Sequence, residues 1–103
     1  MNNITLVYIT CPDEETAVSI SNQMIKEKLI ACANIHQIRS IYPWMDEIID
    51  DSEYVILAKT KETKLDEIKA RVGEMHPYEI PCILNFSVAA NEKYANWISA
   101  CLD

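Results

Sequence analysis

A single glycine, Gly73, stands in a chain of 103 residues, together with four prolines. Glycine supplies the positive-φ conformations that loose turns need, and proline interrupts helices and strands. A chain so poor in both is expected to fold into long regular elements joined by short turns. Half of its residues are hydrophobic, which is enough for the core of one small domain. No repeat, low-complexity tract or linker divides it, so residues 1–103 read as one domain.

The hydrophobic pattern gives the order of the elements. Ile4-Thr5-Leu6-Val7-Tyr8-Ile9-Thr10 is β-branched and almost continuously apolar, as in a buried central strand. Pro12 suits the first position of a helix, and Asp13, Glu14 and Glu15 face its positive end. Ala17, Val18, Ile20, Met24, Ile25 and Leu29 form its apolar stripe. Ala33 to Trp44 reads as a second strand, with a slip of alternation at Gln37-Ile38 that suggests a bulge. Met45-Asp46-Glu47 is a turn, and Tyr54 to Ala58 is a third strand, extended back toward the turn by Ile48-Ile49. Together these make a long hairpin.

Thr63-Lys64-Leu65-Asp66 carries a capping-box signature, followed by Leu65, Ile68, Val72 and Met75 at helical spacing. Ile80, Cys82, Leu84, Phe86 and Val88 alternate as a fourth strand. Asn91 is placed to cap a last helix with the stripe Tyr94, Trp97, Ile98, Cys101 and Leu102. The order βαββαβ plus a helix predicts an α+β, ferredoxin-like antiparallel sheet with helices on one face. The other face and the edges of the long hairpin would then be bare, which points to self-association.

The net charge is −7, which disfavours nucleic acid and anionic membranes as partners. No apolar run approaches the ~20 residues of a membrane span. The first residues lack the pattern of a signal peptide, so a cytoplasmic location is expected. The cysteines at 11, 32, 82 and 101 show no short metal-ligand spacing and no disulfide-dense pattern.

His76-Pro77-Tyr78-Glu79-Ile80-Pro81 places an imidazole, a phenol and a carboxylate between two prolines. Each proline fixes its own φ and biases the residue before it toward extended backbone. The segment is a stiff turn that holds polar groups in set directions. It would orient Tyr78 and Glu79 against a neighbouring subunit.

Several segments, in this order, resemble the CutA family of divalent-cation-tolerance proteins. They are Thr10-Cys11-Pro12-Asp13, Ala31-Cys32-Ala33-Asn34-Ile35, Ser40-Ile41-Tyr42 with Trp44, Lys59-Thr60, His76 to Pro81, and Tyr94 with Trp97. The resemblance implies a ferredoxin-like fold similar to the PII signalling proteins, and a homotrimer whose long hairpins pair with neighbouring subunits. It brings no established reaction, so no enzyme is expected. It also implies a copper site around Cys11 and His76. Three positions depart from the family pattern: Asp46 replaces a frequent turn glycine, Pro43 a frequent aromatic residue, and Cys82 a frequent glutamate.

In the strand order 4-1-3-2, Cys11, His76 and Cys82 would converge at one edge of the sheet. The helix start beyond Cys11 would favour its thiolate. Two thiolates and an imidazole suit copper(I) or zinc, bound weakly rather than as a tight cofactor. Lys59, Tyr78 and Glu79, with Trp44 at the hairpin tip, form a second candidate set at a subunit cleft. Two functions follow: a trimeric cytoplasmic protein of divalent-metal tolerance, or a PII-like small-molecule sensor or scaffold without catalysis.

Overall fold

The computed structural model describes residues 2–103. Its elements run β1 (Asn2–Cys11), α1 (Glu14–Lys26), β2 (Cys32–Trp44), β3 (Glu47–Thr60), a 3-10 turn (Glu62–Lys64), α2 (Leu65–Met75), β4 (Ile83–Ala90) and α3 (Glu92–Leu102). The four strands form one antiparallel sheet in the order β2-β3-β1-β4. This is the ferredoxin-like arrangement that the sequence predicts, with the long hairpin and the terminal helix in place.

The pleat divides the sheet into two faces. Val7, Ile9 and Cys11 of β1 pair with Ala58, Ile56 and Tyr54 of β3. They bury against Ala17, Ile20 and Met24 of α1 and Ile68 and Val72 of α2 to make the main core. The opposite face is not bare. Ile4 of β1 packs there with Ala95, Ile98 and Leu102 of α3, flanked by Leu6 and Val88. So α3 covers one end of the face that the six-element pattern alone would leave open. Its buried line is Ala95, Ile98 and Leu102, while Trp97 is half exposed.

Other boundaries also differ from expectation. The β2–β3 register runs without a break from Cys32 opposite Lys59 to Trp44 opposite Glu47, so Gln37-Ile38 is no bulge. Pro43 lies opposite Ile48 on β2, an edge strand, where its missing N–H removes no sheet bond on the outer side. Met45 and Asp46 both take positive φ, 50° and 65°, the geometry of a two-residue type I′ turn. Asp46 therefore supplies without glycine what the turn demands.

Asp13, not Pro12, stands directly before α1. It is the N-cap, and its carboxylate accepts the Thr16 N–H at 2.7 Å. At α2 the Thr63 box is not used. The chain enters through the 3-10 turn, where Lys64 N–H donates to the Lys61 carbonyl at 3.0 Å, and Lys64 caps without its side chain. β4 starts at Ile83 rather than Ile80, because Pro81 has no N–H for the ladder and Ile80 is thrown into solvent.

Candidate functional site

The ends of β1 and α2 meet beside the start of β4. α2 stops at His76, whose backbone is extended (φ −79°, ψ 136°), as the following Pro77 requires. This carries the imidazole back under the sheet edge, where it is buried. His76 Nε2 lies 2.7 Å from the Thr10 carbonyl, and Nδ1 lies 3.1 Å from the Tyr78 backbone N. A carbonyl only accepts and an amide only donates. Nε2 therefore carries the hydrogen and Nδ1 offers its lone pair. Both ring nitrogens are spent on holding the turn.

The Tyr78 ring rests 4.8 Å from the imidazole, centroid to centroid. Its hydroxyl donates to Glu53 Oε2 at 2.7 Å. Glu53 is a buried carboxylate on β3, on the face opposite the main core. Burial, followed by the Glu53 hydrogen bond and charge, raises the Tyr78 phenol well above its ordinary range. The hydroxyl thus has a partner within its own chain. Nothing in the sequence singles out Glu53 among sixteen acidic residues. Its only trace is the strand period, which puts it opposite in direction to Tyr54.

Cys11 belongs to the main core and is fully buried. Burial, with the charges of Asp13 and Glu53, pushes its thiol up to about 11. The expected thiolate at the helix start is therefore not favoured. The helix begins three residues later, and its cap, Asp13, is itself a carboxylate, held low by the Thr16 N–H. Cys82 is a half-buried free thiol just before β4. Thus the fold brings His76 against the residue preceding Cys11, but through the Thr10 carbonyl. Among the described residues no group of three or more His, Cys, Asp or Glu side chains is placed to hold a metal ion. As folded, the edge does not fit a resident metal.

The second candidate set is spread out within one protomer. Lys59 and Glu53 are six residues apart on β3, about 20 Å along a strand. Lys59 donates to Asn34 Oδ1 and lies 5.9 Å from the centroid of the Tyr94 ring. Tyr94 in turn stacks on Trp97 at 5.9 Å and 21°. Glu79 is exposed, and Trp44 is 62% exposed at the hairpin tip.

Comparison with known proteins places this arrangement. The family profile described as "CutA1 divalent ion tolerance protein" matches residues 5–101. The divalent-cation tolerance protein CutA of Pyrococcus horikoshii is 40% identical over 94 residues, covering 90% of this chain and 92% of that protein. The crystal structure of the divalent ion tolerance protein CutA1 from Ehrlichia chaffeensis superposes with a TM-score of 0.94 at 39% identity, covering 100% of this chain and 98% of the other. A CutA from Archaeoglobus fulgidus, described as a periplasmic divalent cation tolerance protein, gives 0.93 at 30% identity, covering 99% of this chain and 100% of the other. With strand order, hairpin and terminal helix all agreeing, the chain belongs to the CutA1 divalent ion tolerance family.

Proposed function

We propose that the protein serves divalent-cation tolerance as a homotrimer, in which the long hairpins pair with neighbouring subunits. The observation that carries this reading is the hairpin itself. Ile41, Trp44 and Ile48 stand 66%, 62% and 80% exposed on it, and β2 leaves one edge of its ladder unpaired. Metal contact at the edge of Cys11, His76 and Cys82 is then weak. An ion has to displace a hydrogen bond of His76 and deprotonate a buried thiol. Copper(I) suits those soft donors best. Four free thiols agree with a reducing compartment, here the cytoplasm. No catalytic step belongs to this reading.

Light scattering at low micromolar concentration tests the assembly, with three times 11.8 kDa expected. A stable monomer or dimer would end the trimer reading. Reduced protein should bind copper(I) measurably, and Cys11→Ser and His76→Ala should each weaken that binding while remaining trimeric. Equal binding in all three proteins would place the metal elsewhere.

A second reading, a small-molecule sensor or scaffold, draws on Lys59. Among the described residues its ammonium has no carboxylate within ion-pair distance, although the chain carries sixteen acidic residues.

A further inference from the structure

We infer that Lys59, Asn34, Tyr94 and Trp97 form a receptor for an organic carboxylate on the sheet face shared with α3, a site that rests on the sensor or scaffold reading and not on metal. The argument starts from the placement of the charge. Lys59 lies on β3, which is flanked by β2 and β1, and its side chain leaves the sheet on the face where α3 packs. It is half-buried there, opposite Leu6 on one side and Cys32 on the other. An ammonium in such a position ordinarily meets a carboxylate. Of the other half-buried basic side chains, Lys61 and Arg71 do so, with Asp103, and with Glu27 and Glu74, and Lys64 does not. Lys59 meets only the Asn34 amide oxygen and the Tyr94 ring.

The surrounding groups are donors. An ammonium has three N–H groups, and here one is given to Asn34 while the Tyr94 ring takes the charge electrostatically. With its oxygen facing Lys59, the Asn34 amide keeps its two N–H groups. The Tyr94 hydroxyl and the Trp97 indole N–H make no hydrogen bond among the described residues. Asn34, Lys59, Tyr94 and Trp97 thus form a continuous chain of contacts that is rich in donors and lacks an ionised acceptor. A carboxylate supplies the missing charge and acceptor atoms, and the half-exposed Trp97 ring offers a surface for a flat apolar body.

The carboxylate comes either from a free small molecule or from an acidic side chain of a second copy. Benzoate is the probe for the first source. It is titrated into the intact protein while the Trp97 indole N–H resonance is followed, assigned by its loss in Trp97→Phe. Light scattering on dilution is the probe for the second. A free ligand predicts a saturable shift that weakens about tenfold or more in Lys59→Met and is retained in Lys59→Arg. A carboxylate from a second copy predicts no benzoate response. Lys59→Met then dissociates at a concentration about tenfold or more higher, with Lys59→Arg again restoring the parent. A benzoate response equal in the parent and Lys59→Met overturns this site while leaving a sensor elsewhere. No response together with unchanged assembly overturns both.

Discussion

β3 is one strand with two environments. From Val55 to Thr60 its side chains are buried or half-buried, with α1 and α2 on one face and α3 on the other. From Glu47 to Ser52 they are exposed except for Ile49. Backbone pairing is the same in both halves, because the ladder to β2 never breaks. What differs is the material packed on the faces. Hydrogen bonding thus extends the hairpin well beyond the core, but only the inner half gains from burial. The outer half keeps its apolar side chains in solvent until another surface covers them.

The strongest test of this contrast pairs Ile56→Ala with Ile48→Ala. Ile56 is fully buried, so its truncation should cost about 2–5 kcal/mol. Ile48 is 80% exposed, so the same change should stay within about 0.5 kcal/mol for the isolated chain. Its effect should appear instead as easier dissociation on dilution. Guanidinium unfolding at two protein concentrations separates the two terms. Equal losses at high dilution would break the comparison.

The boundary between the halves is Glu53, which Tyr78 reaches from the proline-rich turn. Tyr78→Phe should cost about 1–3 kcal/mol by leaving that carboxylate without its donor. Because both partners belong to one chain, the cost should not vary with protein concentration, and a concentration-dependent loss would move the contact to an interface. The pH profile has a defined sign. The folded phenol ionises above its ordinary value, so its contribution is present below about pH 10 and fades as pH rises further. Tyr78→Phe should therefore flatten the alkaline limb. Cys11 adds to the same limb, its stabilising share fading between 9.0 and about 11.

The smallest expected effect lies in the covered half. Ser21 is buried on α1, and its hydroxyl has no hydrogen-bond partner among the described residues. Ser21→Ala removes the unpaired group and improves helix propensity. It should leave stability unchanged or raise it by up to about 1 kcal/mol. A clear drop in melting temperature would mean that the hydroxyl is bonded after all.

The same division explains what the sequence made legible. Strands and helices over the core were readable because their apolar residues recur at the period of the element they form. Alternation slips at Gln37-Ile38 for a different reason from a bulge. Gln37 faces the helix side of the sheet opposite Tyr54, near the limit of helical cover, and Arg39 and Ser52 beyond it are exposed. A polar residue there loses no burial, so the pattern reports where cover ends. The Thr63 box misled because Lys61 to Lys64 satisfy the local N–H groups with a 3-10 bond instead. The site was legible in its backbone, since two prolines announce a stiff turn. Its partners were not. Glu53 and the Thr10 carbonyl are distant in sequence, and only the fold makes them neighbours of Tyr78 and His76.

The unbroken ladder also has a mechanical meaning. The molecule measures 47 Å along its longest axis against 25 and 21 Å across, and the hairpin supplies a continuous arm with no hinge of glycine or bulge between root and tip. Such an arm is a lever. A small rotation where β3 enters the core sweeps Trp44 through a larger arc, and a force that pins Trp44 fixes the orientation of the whole body behind it.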